Sequence, residues 1–136
     1  MDSRQINDLV QYRLKDAADK LDTSRILLEN GKYKDSIGRS YYAIFASVRA
    51  LLAKDKVDFS KHAGVIAYFQ KNYIKEGIFD KKYSKIVQNA FQIRNNCDYA
   101  DFYIASKEDA EEQYHCAIDL NSVIKKYLEK YDEKKS

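Results

Sequence analysis

The chain has 136 residues, and its 24 Lys and Arg against 21 Asp and Glu give a formal charge of +3. This excess is too small to indicate nucleic-acid binding by itself, because such binding requires a clustered basic face. This length predicts one domain over residues 1–136, large enough to bury a core without disulfide staples. The chain has no proline, only four glycines and no apolar run long enough for a membrane span, so we expect long helices and no membrane segment.

The first predicted helix runs from about Ser3 to Asn30. Gly31 ends it, because glycine readily takes the left-handed conformation that follows a helix. The N-terminal stretch is charged throughout and has no apolar centre, so we expect no signal peptide. Apolar residues recur along this helix at roughly 3.6-residue spacing and predict a core-facing stripe: Ile6, Leu9, Val10, Leu14, Ala17, Leu21 and Leu28.

A second helix is predicted from Asp35, as its N-cap, to about Lys54. A third is predicted from Ser60, also as an N-cap, to about Tyr73, with Gly77 marking its end. Six large apolar residues of the second helix share one face: Ile37, Tyr41, Ile44, Phe45, Val48 and Leu52. Three alanines of the same helix are small enough to let a neighbouring helix approach closely: Ala43, Ala46 and Ala50.

The fourth predicted helix runs from about Asp80 to Asn96. The fifth begins after Ser106, where the pattern Ser-Lys-Glu-Asp resembles a capping box, and continues to about Leu128 before a charged tail at about 130–136. No strand-like hairpin and no glycine-rich phosphate loop competes with this helical pattern. We therefore predict an all-α fold, an up-and-down bundle of about five helices.

The two cysteines, Cys97 and Cys116, have no metal-type spacing and are too few for the disulfide framework of a secreted protein. We therefore expect reduced thiols and a cytoplasmic location. His115 lies mid-helix among acidic residues, and neither it nor His62 has a second histidine at ligand spacing. We expect no metal site and no cofactor.

Arg94 lies on the face of the fourth helix that should point into the bundle. At about 100° per residue, it shares one arc with Tyr83, Val87, Ala90 and Cys97. Burying a guanidinium without a partner costs several kcal/mol, so an anion must compensate its charge. One interpretation is a structural ion pair, with Asp98 four residues on or with another helix. The other is a polar cleft in which Arg94 binds a phosphate or an oxyanion.

The second helix carries a further cationic face. Arg39, Tyr42 and Arg49 fall on it together with Ala46, and an arginine beside an aromatic ring suits phosphate binding with base stacking. The same side chains also suit an amphipathic surface that covers a neighbouring helix. His62, at the start of the third helix, suits a general base or a phosphate-binding cation, although an isolated histidine near a helix cap usually has neither role.

Four segments together resemble the small stand-alone proteins of the HEPN-domain family: GRSYYAIFASVRALL, KHAGVIAYF, RNNCDY and SKEDAEEQYHCAIDL. Members typically show an Arg-x-Tyr-Tyr-like second helix, a His-x-Gly-Val opening to the third, and an Arg-x-x-x-Asp-Tyr segment that ends the fourth. The similarity covers roughly Ile6 to Leu128. Each motif alone is common, whereas their order and spacing together are specific to the family.

This resemblance implies a helical bundle that forms homodimers, in which the face carrying Arg39 and Arg94 meets its twin. Many HEPN proteins are similar to ribonuclease toxins or defence effectors and are paired with a small nucleotidyltransferase-type protein. Their nuclease motif is an arginine, often followed by Asn, Asp or His, with a histidine after four to six intervening residues. Arg94 and Asn95 match its front half, but Tyr99, Ala100 and Asp101 stand where the histidine should be.

The resemblance therefore assigns candidate roles without deciding between them. Arg94, Asp98 and Tyr99 are the candidate catalytic residues, with His62 a substitute for the missing histidine if the fold brings it close. The candidate substrate-binding residues are Arg39, Tyr42, His62 and Asn95. By the same resemblance, the partner enzyme would modify Tyr99 or Tyr103.

Three functions remain open. The first is an RNA-directed, metal-independent ribonuclease in a toxin–antitoxin or defence system. The second is a non-catalytic subunit of a nucleotidyltransferase pair that binds RNA, nucleotide or the partner protein. The third is a helical dimer in which Arg94, Asp98 and Tyr99 are structural.

Overall fold

Five α-helices and one short π-helical segment make up residues 1–135, the part of the chain that the computed structural model describes; for 132–135 only the backbone is described. No strand occurs within this range. The all-α prediction is therefore confirmed. The elements are α1 (Ser3–Glu29), α2 (Tyr33–Lys54), α3 (His62–Phe69), the π-helical segment (Gln70–Ile74), α4 (Lys81–Tyr99) and α5 (Lys107–Lys135).

Helix α2 is the centre of the bundle. Fifteen of its 22 residues are buried, so apolar and small residues surround it on nearly every side. It packs against α1, α3, α4 and α5. The predicted inward stripe of α1 faces it, with Val10 and Ala17 buried and the larger residues of that stripe partly buried. A separate small cluster of Ile37, Cys97 and Ala110 joins α2, α4 and α5.

Three buried serines hold α1 close to the N-terminal half of α2. The hydroxyl of Ser24 lies 2.9 Å from that of Ser36 and 2.7 Å from that of Ser40, and the Ser36 hydroxyl donates to the Ser24 carbonyl at 2.9 Å. A buried hydroxyl without a partner is costly, so this mutual satisfaction is required for the polar groups to lie in the core. The serines fix the two helices that carry most of the candidate site.

The beginnings of α2 and α3 differ from the prediction. Helix α2 starts at Tyr33, and Lys32 is its N-cap without a side-chain hydrogen bond, so Asp35 lies in the first turn instead of capping it. A carboxylate in a first turn still stabilises the helix dipole. Helix α3 starts at His62 after Lys61, so Ser60 is not its cap, and from Gln70 the chain continues as a π-helical turn.

The ends of α4 and α5 also extend further than predicted. Helix α4 continues past Asn96 to Tyr99, which places Arg94 and Asp98 one turn apart on the same helix. Helix α5 continues through Lys135 where a tail was predicted from about 130, and residue 136 lies outside the described residues. Its start agrees with the capping pattern, because the backbone N–H of Asp109 donates to the Ser106 hydroxyl at 3.0 Å.

Candidate functional site

The Arg94 side chain lies between α4 and α2 and is 25% exposed. Its arc on α4 is otherwise buried, as the helical spacing predicts: Tyr83, Val87, Ala90 and Cys97. The Nε atom lies 2.9 Å from Oδ2 of Asp98, and Nη2 donates to the Tyr42 hydroxyl at 3.3 Å. The guanidinium carbon is 5.0 Å from the centroid of the Tyr42 ring, within cation–π range. Arg94 is therefore paired but still reaches solvent.

Gly38 makes room for this arginine in the middle of α2. A Cβ atom at position 38 would lie 2.5 Å from Nη1 of Arg94, well inside van der Waals contact. Glycine in a helix interior costs about 1 kcal/mol relative to alanine, so the site gives up helix stability for this close approach. The guanidinium thus lies directly against the backbone of α2.

An open cavity of about 540 Å³ surrounds Arg94 at the junction of three helices, and we call it the Arg94 cleft. Its charged residues are Lys34, Arg39 and Arg94 against Asp35 and Asp98, a formal excess of one positive charge. Such a cleft suits an anion, because a guanidinium binds phosphate oxygens through paired N–H groups. The lining residues are Thr23, Leu27, Lys34, Asp35, Gly38, Arg39, Tyr42, Arg94 and Asp98.

A second cavity, of about 350 Å³, lies further along α2, and we call it the Arg49 cavity. Tyr42 belongs to the lining of both cavities. The second is lined by Leu9, Tyr12, Arg13, Asp16, Lys20, Tyr42, Phe45, Ala46, Arg49 and His62. The two cavities therefore meet at one exposed aromatic ring.

His62 lines the Arg49 cavity and not the Arg94 cleft. Its Nδ1 shares a hydrogen bond with the Tyr41 hydroxyl, and its ring stacks on Phe45 with centroids 4.4 Å apart. Burial, and then the positive charges of Arg49 and Arg94, lower the pKa of His62. Its imidazole is therefore neutral at pH 7, while burial raises the pKa of Tyr41 to about 12.

The remaining candidates lie outside both cavities. Asn95 is partly buried and lines neither of them, and Tyr99 is 81% exposed. Tyr103 packs against the small cluster around Ile37, and burial followed by the charge of Asp109 raises its pKa. The fold therefore brings Arg39, Tyr42, Arg94 and Asp98 together in the Arg94 cleft, whose lining does not include Asn95, Tyr99, Tyr103 or His62.

Sequence reasoning missed three contributors to the site. Lys34 supplies a cation to the Arg94 cleft, Gly38 supplies its space, and Tyr41 contacts both His62 and Arg94. A glycine inside a strong helical pattern is a signal of close approach, so Gly38 could have been singled out. The other two depend on how helices pack, which periodicity does not specify.

The structure also bears on metals, thiols and membranes. Among the side chains of residues 1–131, no three or more His, Cys, Asp or Glu converge as a metal-binding group. Cys97 and Cys116 are free, and burial raises the pKa of both thiols. Across the described helices, none combines the length and apolar content that crossing a bilayer requires.

Comparison with known proteins gives a consistent result. The model of the family described as HEPN domain matches residues 10–127. The chain is 33% identical to "Putative toxin MJ0605" of Methanocaldococcus jannaschii, over 93% of this chain and 93% of that protein. It is 31% identical to a UPF0332 protein of Thermotoga maritima over 89% of this chain and 92% of the relative. It is also 31% identical to "Putative toxin MJ0142" of M. jannaschii, over 82% and 76% of the two chains.

Proposed function

This chain belongs to the HEPN domain family, and on that premise we propose that it binds RNA or nucleotides at the Arg94 cleft as a component of a toxin–antitoxin or defence system. The observation that carries the proposal is an arginine on an inward helix face that opens into a cationic cavity. Two similar proteins are named putative toxins, which supports the class of system.

The contacts of Arg94 favour a ligand over a purely structural ion pair. Asp98 contacts the guanidinium at Nε, and the two side chains of the pair remain 25% and 33% exposed. A sealed structural pair would be expected to engage both oxygens and exclude water. Because the cleft retains one excess positive charge, a phosphate group would complete its charge balance. The Tyr42 ring is 39% exposed beside the guanidinium, so a base can stack on its solvent-facing part.

A second candidate function is metal-independent cleavage of RNA, favoured by the position of Asp98. Its carboxylate lies beside the cation that would hold the scissile phosphate. In this reaction, Asp98 takes the proton of the 2′-hydroxyl, the 2′-oxygen bonds to phosphorus, and the 5′-oxygen leaves and takes a proton from water. Arg94 would stabilise the negative charge that develops on the phosphate. The lining of the cleft has no imidazole, the group that usually protonates a leaving oxygen near pH 7. We therefore rank binding ahead of cleavage.

The test compares the wild-type chain with Arg94→Ala and Asp98→Asn, both for binding to labelled RNA and for growth inhibition on expression. We expect Arg94→Ala to weaken binding by about tenfold or more, because a charged hydrogen-bonding group is lost. Arg25→Ala is the matched control, since Arg25 pairs with Asp22 and Glu29 on exposed α1 and lines neither cavity.

The outcomes separate the two candidate functions. Failure of the wild-type chain to bind either RNA or nucleotides would reject the binding proposal. A wild-type chain that binds RNA, is harmless to cells and leaves cellular RNA intact would reject cleavage alone. Loss of growth inhibition in Asp98→Asn with binding retained would favour cleavage.

We further propose that a nucleotidyltransferase-type protein is the partner and that Tyr99 is the tyrosine it modifies. Tyr99 is 81% exposed at the end of α4, where an enzyme can reach its hydroxyl. Tyr103 is the weaker candidate because it packs against the Ile37 cluster and lies near Asp109. Tyr99 follows Asp98, a residue of the cleft lining. The phosphate of a nucleotidyl group on Tyr99 would therefore add negative charge close to the mouth of the cleft.

A further inference from the structure

The Arg49 cavity continues the Arg94 cleft along α2. The α2 residues that line the Arg94 cleft end at Tyr42, and those that line the Arg49 cavity begin there. From Arg39 to Arg49 the helix advances about 15 Å, at 1.5 Å per residue. The exposed ring of Tyr42 lies between these two arginines, and its neighbour Tyr41 packs edge-on against it with ring centroids 5.3 Å apart. The two cavities thus form one track with an aromatic ring at its middle.

The Arg49 cavity has more positive charge than its own carboxylates neutralise. Arg13 and Arg49 share a single carboxylate, that of Asp58, with nitrogen–oxygen distances of 3.8 Å and 3.1 Å. Asp58 is itself 55% exposed, so solvent weakens both pairs. Lys20 and Asp16 pair at 2.7 Å and offset each other. The five charged groups leave a formal excess of one positive charge.

The two guanidiniums are held close to each other despite their repulsion. Nη1 of Arg13 donates to the backbone carbonyl of Arg49 at 2.8 Å. Burial and the nearby charge of Arg49 lower the pKa of Arg13, and the same charge contributes to the lowered pKa of His62. Both groups therefore experience a positive potential that an anion would relieve.

We propose that the Arg49 cavity is a second phosphate subsite, and that single-stranded RNA crosses Tyr42 with one phosphate in each cavity and a base stacked on the ring between them. This inference rests on the proposed function of the Arg94 cleft and extends it by setting a minimum ligand. A nucleoside monophosphate has one phosphate and fills one subsite only. Stacking on Tyr42 requires an unpaired base, so paired RNA does not fit the track.

The experiment measures binding by fluorescence anisotropy with a labelled single-stranded RNA of about ten nucleotides, within the usual range of such sites. Unlabelled adenosine monophosphate competes in parallel, and its inhibition constants with wild type and with Arg94→Ala show whether it fills the Arg94 cleft. The variants are Arg49→Gln and Lys20→Gln, each of which removes one positive charge from the Arg49 cavity. Arg25→Gln removes the same charge from an exposed part of α1 outside both cavities.

We expect Arg49→Gln to weaken binding of the oligonucleotide by about tenfold and to leave competition by the mononucleotide unchanged. The slope of log affinity against log salt should fall by about 0.7, the value of one lost phosphate contact on a single strand. Lys20→Gln should shift both quantities in the same direction. Thermal unfolding of each variant confirms folding, and Lys20→Gln serves as the test if Arg49→Gln does not fold.

Three results would overturn the subsite. One is unchanged oligonucleotide binding in both cavity variants while Arg94→Ala still weakens it, which would leave the proposed function intact. Another is equal weakening by Arg25→Gln, which would indicate non-specific charge attraction. The third is equal affinity of wild type for the oligonucleotide and the mononucleotide. Failure of wild type to bind either ligand would reject the subsite and the proposed function together.

Discussion

At the scale of single residues, Gly38 decides where the Arg94 guanidinium lies. The contact between Nη1 and the α2 backbone exists only because position 38 has no Cβ. The obstructing atom is the far end of a flexible side chain, so a larger residue at 38 would move Arg94 without disturbing the backbone of either helix. A substitution at position 38 can therefore test the contribution of Arg94 to binding without lowering the stability of the fold.

We predict that Gly38→Ala weakens RNA binding by about tenfold, because the charged group leaves its position beside Tyr42. The free energy of unfolding should not fall, since alanine is favoured over glycine in a helix by about 1 kcal/mol. Binding titrations and urea unfolding measure the two effects. In the Arg94→Ala background, the same substitution should leave binding unchanged, and further weakening there would contradict the explanation.

Some features of the site follow from the sequence and others do not. The inward position of Arg94 and its pairing with Asp98 both follow from helical spacing, because residues four apart lie on one face. The contact of Arg94 with Tyr42 joins residues 52 positions apart on different helices. Local periodicity carries no information on that distance or on which helix faces which. The chemical roles of Asp98, Tyr99 and Asn95 stay predictions.

At the scale of the elements, α1 and α2 end in the same left-handed turn, formed by a glycine after α1 and by a lysine after α2. Gly31 follows α1 with φ of 74°, and the backbone N–H of Lys32 donates to the Leu27 carbonyl at 2.8 Å. Lys56 has the corresponding place after α2, with φ of 62°, and the next N–H, of Val57, donates to Leu52 at 3.0 Å. Both are the left-handed closure of a helix, but only the first uses glycine.

We predict that Lys56→Gly raises the free energy of unfolding by about 1 kcal/mol, because a side chain in the left-handed region is strained. Urea unfolding measures the change. Lys75→Gly is the control: φ there is −60°, so glycine gains nothing and should lower stability by about 1 kcal/mol. A loss of stability in Lys56→Gly would show that the lysine side chain contributes more than its strain costs.

The predicted N-caps of the second and third helices were wrong. Asp35 and Ser60 are good N-cap residues, yet both helices begin at positions without a side-chain cap. In α2, the apolar contacts of Tyr33 with the Ile37 cluster favour an earlier start. The late end of α4 keeps Cys97 within the helix and in the same cluster, on the inward arc that the helical spacing predicts. Packing in three dimensions therefore decided ends that local signals left ambiguous.

At the scale of the whole molecule, large apolar side chains are exposed next to the candidate site. Three of them lie in the six residues 99–104, which run from the end of α4 into the connection to α5. Their exposed fractions are 81% for Tyr99, 100% for Phe102 and 86% for Ile104. Exposed apolar clusters of this kind are typical of interaction surfaces. We propose that they form part of a homodimer interface, in which the faces carrying Arg39 and Arg94 meet and combine their positive charge.

We predict a sedimentation mass of twice 15.9 kDa for the wild-type chain at micromolar concentration. Phe102→Asp should shift the equilibrium toward the monomer, because a charge would be buried at the interface. Ile78→Asp is the control, since Ile78 is 43% exposed at the opposite end of α4, a helix of about 28 Å. A wild-type chain that sediments only at 15.9 kDa would reject the dimer.

The serine cluster between α1 and α2 determines which wall of the Arg94 cleft can yield. Separating those two helices would strip Ser24, Ser36 and Ser40 of their partners, at about 1–3 kcal/mol for each unsatisfied hydroxyl. Helix α4 meets α2 nearby through the non-directional apolar contacts of Cys97 and through the hydrogen bond from Arg94 to the exposed Tyr42 hydroxyl. We therefore expect a bulky ligand to displace α4 more readily than it separates α1 from α2.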